Sequence, residues 1–260
     1  MQKRHTDKQR YFNEQIFTTE KYVIPFLDDV CKVTPATSVL EIGCGEAGNL
    51  KPFLDLGCRC VGIDLNGGKI EKGKEFYASH PHTDKLDLIV KNIYDMTEFE
   101  KFDIIMMRDV IEHIHEQEVF IGFMQNFMHE KSIVFFAFPP WQNPFGGHQQ
   151  LCKSKVLSNL PYFHLLPASL YKLTMKMFGE SDATINGLLE IKETGISTER
   201  FERCVKGANL KVKKVEQYFI NPNYEIKFGL KPRKVYGFIE KLPWLRNFFI
   251  TCGYYVVEAK

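Results

Sequence analysis

Val39 to Leu50 reads VLEIGCGEAGNL, and Gly43, Gly45 and Gly48 form a G-x-G-x-x-G at the end of a short apolar run. Glycines in such a turn bring backbone close to a ligand and aim a helix N-terminus at it. Asp64 follows 21 residues after Gly43, at the end of the next apolar run, where a carboxylate accepts hydrogen bonds from both hydroxyls of a ribose. Loop and acid together point to a nucleoside cofactor. Glu41, two places before Gly43, narrows the choice: its charge repels a pyrophosphate but favours a cofactor with positively charged groups. A second constellation is WQNPFGGHQQ, Trp141 to Gln150. Gly146-Gly147 permits a tight turn that presents His148 and Gln149 inward. An imidazole takes a proton readily near neutral pH, so His148 is the candidate catalytic base.

These residues need a scaffold that gathers them at one edge. From Ser38, short apolar runs alternate with helical stretches: Ser38 to Ile42, Arg59 to Asp64, Leu86 to Val90, Phe102 to Met107 and Ser132 to Phe138. Most are too apolar to be half-exposed, which predicts parallel strands covered on both faces and a doubly wound α/β sheet. The Trp141 loop then leaves the fifth strand on the same edge as the glycine loop, where open α/β sheets bind ligands. Val119, Phe120, Phe123 and Phe127 recur at helical spacing and predict the core face of a sheet-packing helix. Residues 1–36 read as an N-terminal helical segment, with one or two helices over Tyr11 to Val30 and a break at Pro25. Residues 37–140 read as the cofactor-binding core, and 141–196 as an active-site loop and helical cap with a helix near Leu165 to Met177. Residues 197–260 complete the sheet: a helix capped by Ser197 and stopped at Gly207, a strand over Leu210 to Ile220, an insertion at 221–247 and a last strand over Tyr254 to Ala259.

At these positions the sequence resembles the class I S-adenosylmethionine-dependent methyltransferases. Their first motif carries an acid two places before the first glycine, as Glu41 stands before Gly43, with Cys44, Gly45 and Gly48 completing the loop. The resemblance covers most of Val39 to Pro140 and the C-terminal strand order. VGIDLN, Val61 to Asn66, looks like the second motif, which implies Asp64 on the ribose and Leu65 next to the adenine. KNIYDM, Lys91 to Met96, looks like the adenine-contacting turn, with Asn92 and Ile93; Asn92 replaces the usual aspartate, and its carbonyl can still meet the adenine amino group. FDIIMMRDVIEHI, Phe102 to Ile114, resembles the fourth motif, which implies Arg108 and Asp109 near the ammonium group and Val110 near the adenine. The implied fold is Rossmann-like, a mostly parallel seven-stranded sheet with its last strand antiparallel beside the fifth. The implied activity is methyl transfer from S-adenosylmethionine, leaving S-adenosylhomocysteine, to a small-molecule or glycan-type acceptor, with oxygen as the favoured atom. Two other functions compete for the same cleft: a non-catalytic S-adenosylmethionine-binding regulator and a nicotinamide-dependent oxidoreductase.

Other constellations fit less well. Pro139-Pro140-Trp141 resembles the Asn/Asp-Pro-Pro-aromatic motif of nitrogen methylation, but it follows the fifth strand instead of the fourth. Glu112, His113, His115 and Glu116 include an E-x-x-H, yet no second copy exists, and histidines two apart face different sides of a helix. The expectation there is a structural helix entry and no metal. Trp141, Phe145, Tyr162, Phe163 and His164 are candidate acceptor-lining residues. Across 260 residues, 44% apolar content excludes a disordered chain, and a formal charge of +2 excludes docking by a global field. Residues 205–247 nevertheless hold ten Lys/Arg against three acids, with aromatics interleaved; they read as a solvated rim over a packed insertion, with peripheral contact to an anionic substrate, nucleic acid or lipid surface as the alternative. No nucleic-acid module accompanies them. Seven cysteines without framework spacing, the polar opening MQKRHTDKQR and the absence of a long apolar run predict a reduced, cytoplasmic chain with no transmembrane segment.

Overall fold

Five apolar runs form consecutive parallel strands in the computed structural model, which describes residues 7–260; the first six residues of the polar opening lie outside it. They are β1 (Ser38–Ile42), β2 (Arg59–Asp64), β3 (Leu86–Val90), β4 (Phe102–Arg108) and β5 (Met128–Phe138). β6 (Leu210–Ile220), β7 (Arg233–Lys234) and β8 (Cys252–Ala259) complete the order β3-β2-β1-β4-β5-β8-β6-β7. β8 runs antiparallel to both β5 and β6, as the family resemblance implies. The sheet has eight strands instead of seven because the 221–247 insertion lends β7 to the outer edge of β6.

Side chains alternate across the strands and fill a core on each face. Leu40, Ile105, Met107 and Phe136 pack with Phe120 and Phe201 on one side; Val39, Ile104, Met106 and Phe135 pack with Phe12, Phe26 and Phe53 on the other. The covering helices are α1 (Lys8–Thr18), α2 (Ile24–Asp28), α3 (Lys51–Asp55), α4 (Gly67–Tyr77) and α5 (Gln117–Met124). α6 (Ala168–Met177) and α7 (Asp182–Thr194) build the cap, α8 (Thr198–Gly207) returns to the sheet, and α9 (Asn223–Phe228) and α10 (Gly237–Glu240) lie in the insertion. Ser197 caps α8 as expected, accepting from Arg200 N–H at 3.1 Å.

Several local expectations change. Pro25 breaks nothing, because it occupies the first turn of α2, where a missing N–H costs no helical bond; a π-helical turn at Thr19–Val23 joins α1 to α2. α7 was not foreseen. On α5 the buried face is Gln117, Phe120, Ile121 and Met124, which leaves Val119 more than half exposed. Much of the positive charge of 205–247 is paired within the fold: Lys211 and Lys213 with Glu258, Lys214 with Asp29, Lys234 with Glu216, and Arg246 with Glu199 and Glu202. No helix among the described residues is long and apolar enough to cross a membrane.

The cap meets the sheet through buried polar contacts. Gln117 Nε2 donates to the Thr194 carbonyl at 2.6 Å and to the Ile111 carbonyl at 3.1 Å, while Thr194 Oγ1 donates to the Glu112 carbonyl at 2.6 Å. The end of α7 therefore fixes the Ile111–His113 turn that follows β4. Gln117→Leu removes a fully buried donor from two carbonyls and is expected to cost about 1–3 kcal/mol. Urea unfolding measures this, and wild-type stability in the variant would mean that the carbonyls are satisfied by water.

Candidate active site

Glu41 lies in β1 with 1% of its surface exposed. One of its oxygens accepts from Asn49 Nδ2 at 2.6 Å, and the Asn49 carbonyl in turn accepts from Arg108 Nη1 at 2.9 Å and from Thr19 Oγ1 at 3.1 Å. The other Glu41 oxygen has no partner among the described residues. Burial pushes the carboxyl up to about 8, against the pull of the Asn49 hydrogen bond and the Arg108 charge, with the Asp64 charge adding to the rise. A buried carboxylate with an oxygen to spare suits a cationic ligand.

The glycine loop is tied to the end of β2. Gly43 and Gly45 have φ of 74° and 58°, the left-handed region that glycine enters without strain. Gly43 and Cys44 N–H donate to the Ile63 carbonyl at 2.7 and 3.2 Å. Asp64 takes Gly45 N–H on one oxygen and Asn66 N–H on the other, both at 2.8 Å. Each oxygen keeps a lone pair for a ribose hydroxyl, so Asp64 can order the loop and meet a ligand together. Val110 closes over Gly43: a Cβ there would stand 2.6 Å from Val110 Cγ2.

Two expectations about the loop are corrected. Gly48, expected to bring backbone close to the cofactor, makes room for α1, since a Cβ there would stand 2.7 Å from the Phe12 carbonyl. No helix N-terminus points from the loop either, because Glu46 to Leu50 form turns and α3 begins only at Lys51. α1 instead lies across the loop, with Lys8 Nζ 2.7 Å from the buried Glu46 carboxylate. It brings Tyr11 into the fields of Asp109, Arg108, Glu46 and Glu41; burial, then the Asp109 charge, raises the Tyr11 phenol. Asn49, Thr19 and Tyr11 escaped the sequence reading, and only the Asn directly after Gly48 offered a local signal.

The remaining cofactor-side positions are mixed. Leu65 is 72% exposed and leaves apolar surface beside Asp64. Asn92 Oδ1 accepts from Tyr94 N–H at 3.1 Å, so the turn already uses one of its lone pairs, and Ile93 is buried in the core. Asp109 adopts φ 56°, held by its N–H to the Ala137 carbonyl at 2.8 Å.

On the acceptor side, His148 itself carries the left-handed conformation, at φ 52°. Gly146 and Gly147 are needed for close approach: Cβ atoms there would fall 2.3 Å from the Trp141 carbonyl and 2.2 Å from His164 Cβ. Gln149 is buried and donates to the Pro144 carbonyl at 2.8 Å, a loop-forming role. His164 donates from Nε2 to the Trp141 carbonyl at 2.8 Å, and burial pulls its imidazole down to about 4. The Trp141 ring packs on Gly195, and Phe163 belongs to the cap's own core with Tyr171 and Met175. Trp141, Phe163 and His164 thus bind loop to cap instead of lining a pocket, whereas Phe145 and Tyr162 are exposed.

The two histidines after β4 part company. His115 reaches Glu190 at 3.8 Å on the surface, while the His113 ring meets that of His148 edge to face, centroids 4.9 Å apart. Glu112 lies beneath them, 4% exposed, and beyond its own backbone amide neither oxygen is hydrogen-bonded among the described residues. Burial and then the charge of Asp109 raise its carboxyl well above the usual range, and burial lowers His113.

A family model described as "Methyltransferase domain" matches residues 13–161, more than half of the chain. The chain belongs to this methyltransferase family. Among curated relatives, the chain is 31% identical over 99 residues to a ubiquinone biosynthesis O-methyltransferase of Rhodopseudomonas palustris (strain BisB5), covering 38% of each chain. It is 28% identical over 128 residues to one from Bartonella quintana (strain Toulouse), covering 46% of this chain and 49% of that one. The chain thus spans less than half of the length of these relatives. Its fold is shared with geranyl diphosphate C-methyltransferase from Streptomyces coelicolor A3(2), at TM-score 0.59 and 15% identity over 93% of this chain and 79% of that one. The plantazolicin methyltransferase is similar at TM-score 0.55 and 12% identity, over 99% and 87% of the two chains.

The Glu41 carboxyl gives this protein a defined pH signature. Its folded value of about 8 lies above its ordinary 4.5, so the folded state holds the proton more tightly. The stabilisation is full below 4.5 and is lost as pH rises towards 8. Glu41→Gln should flatten that decline in urea unfolding measured across this range. An unchanged slope would assign the dependence to other groups.

Proposed function

We propose that this protein moves a methyl group from S-adenosylmethionine to an oxygen of a small-molecule or glycan-type acceptor. The observation that carries the reading is the buried Glu41 carboxyl under the glycine loop: one oxygen has no partner, and a positively charged ligand beside it lets the group give up its proton and pair, which a pyrophosphate does not. When bound, the cofactor supplies a methyl group already activated on a sulfonium, which leaves the protein to align the acceptor and exclude water. Asp64 holds the ribose, and Leu65, Val110, Asn92 and Ile93 surround the adenine. Arg108 and Asp109 face the methionine end, and α1 closes over it through Tyr11. His148 meets the acceptor's proton. Oxygen is favoured because the relatives are named as O-methyltransferases and because an imidazole stands at that edge.

We assign the protein to the cytoplasm, where its seven free cysteines persist unpaired. The 205–247 edge is retained as a peripheral docking surface, supported by Tyr236 and Phe238, which stack with centroids 6.1 Å apart and are both about two-thirds exposed.

S-adenosylmethionine and S-adenosylhomocysteine should each raise the melting temperature, with a stabilisation of about 2.7 kcal/mol at 100 times the dissociation constant. NAD(P) should have no effect; a shift with NAD(P) alone would replace this reading by the oxidoreductase one. Asp64→Ala should weaken S-adenosylmethionine binding by roughly 1.5–3 kcal/mol in calorimetry, through loss of charge-assisted ribose bonds and of the Gly45 anchor. Unchanged affinity would remove Asp64 from the ribose site.

A further inference from the structure

We propose that Glu112, His113 and His148 form a binding site for one divalent transition-metal ion, of the zinc class, at the edge where β4 and β5 release their loops. Its role toward the acceptor rests on the methyltransferase reading above; the metal site itself does not. One ligand atom from each residue lies within 4.8 Å of the others. The carboxylate comes from a fixed turn: Thr194 Oγ1 donates to the Glu112 carbonyl at 2.6 Å, and Gln117 holds the neighbouring Ile111 carbonyl. Glu112 is buried, and beyond its own backbone amide neither oxygen has a hydrogen-bond partner among the described residues, a costly arrangement that a cation beside it relieves. His148 arrives from the other loop in a left-handed backbone conformation, held by its N–H to the Phe145 carbonyl at 3.1 Å and by Leu151 N–H to its own carbonyl at 3.0 Å. Such strain is typical of residues fixed for a task. Asp109 acts electrostatically on both Glu112 and His113 and adds negative charge; Glu190 and Lys69 are the other charges felt at His113.

The donor set selects the ion. Two imidazole nitrogens and one carboxylate oxygen suit zinc, iron(II) or cobalt(II), whereas calcium and magnesium prefer all-oxygen shells. Three protein ligands leave a position open for water or a substrate oxygen, the pattern of reactive zinc sites and not of closed structural ones. Bonds of about 2.0–2.2 Å need ligand atoms about 3.3 Å apart. The rings therefore close inward by about 1 Å, which His113 and His148, both reaching solvent, can do around a fixed Glu112. An acceptor hydroxyl at the open position becomes more acidic: its O–H bond breaks, the electron pair stays on oxygen and the proton passes to bulk water. In that state His148 acts as a ligand and not as the base.

The test uses the full chain, stripped with EDTA and dialysed against zinc(II) or cobalt(II), with metal counted by mass spectrometry and cobalt(II) followed by visible absorption. Wild type should take up one equivalent, and Glu112→Gln and His148→Ala should each bind at least tenfold more weakly, with loss or shift of the cobalt bands. Should Glu112→Gln fail to fold by circular dichroism, His148→Ala, on a surface loop, gives the same readout. No stoichiometric uptake, or equal uptake by wild type and both variants because metal sits on cysteines, would overturn the site. S-adenosylmethionine binding measured in EDTA is separate: its loss with metal uptake intact refutes the methyltransferase reading alone, and the reverse refutes the metal site alone.

Discussion

A carboxylate taken out of water must find hydrogen bonds, opposite charge or a proton, and the architecture around the glycine loop meets that demand at Glu41. Asn49 gives its amide hydrogens to the acid and its carbonyl to Arg108 and Thr19, so one side chain connects β1, the loop, β4 and the N-terminal helices. For Asn49 to reach back, the chain after Gly45 must turn instead of entering a helix. For Thr19 to arrive, α1 must lie against backbone at Gly48, which only a glycine permits. The lid over the loop and the charge beneath it are therefore parts of one solution.

The parallel strands were legible because burial on both faces leaves nearly continuous apolar runs, and β1, β2 and β3 begin and end as those runs do. β5 starts four residues before its apolar run because His129, Glu130 and Lys131 still point out of the core. The cap was legible as a loss of alternation, but α7 was not, since DATINGLLEIKET is polar and its packing is against the cap. Glycine positions announced a turn without saying which neighbour each glycine makes room for. The histidines misled most: E-x-x-H spacing drew attention to His115, while the partner that meets Glu112 and His113 is His148, 36 residues after Glu112. Local periodicity does not encode such a meeting of two loop ends.

The acceptor side is assembled differently from the cofactor side. The cap has its own small core of Cys152, Leu157, Phe163, Tyr171, Met175, Ile185 and Leu188, and it is joined to the rest by a few defined contacts. Trp141 on Gly195, His164 on the Trp141 carbonyl and Gln117 on Thr194 are the principal ones. Each contact ends in a segment bearing a candidate reacting group, so distortion of the cap is transmitted to His148 and to the Glu112 turn while the Asp64 loop remains anchored to β2.

β8 lies between β5 and β6 and pairs with both, although its residues follow every other strand in the chain. On the ribosome, β1 to β5 can therefore assemble with their helices long before residues 252–259 exist. Until then β5 presents an unpaired edge rich in Phe135, Phe136 and Phe138, and β6 has no strand to join it to the sheet. An open aromatic edge is the kind that captures other chains. The interval from the emergence of β5 to its pairing with β8 is therefore the one in which that edge stands open.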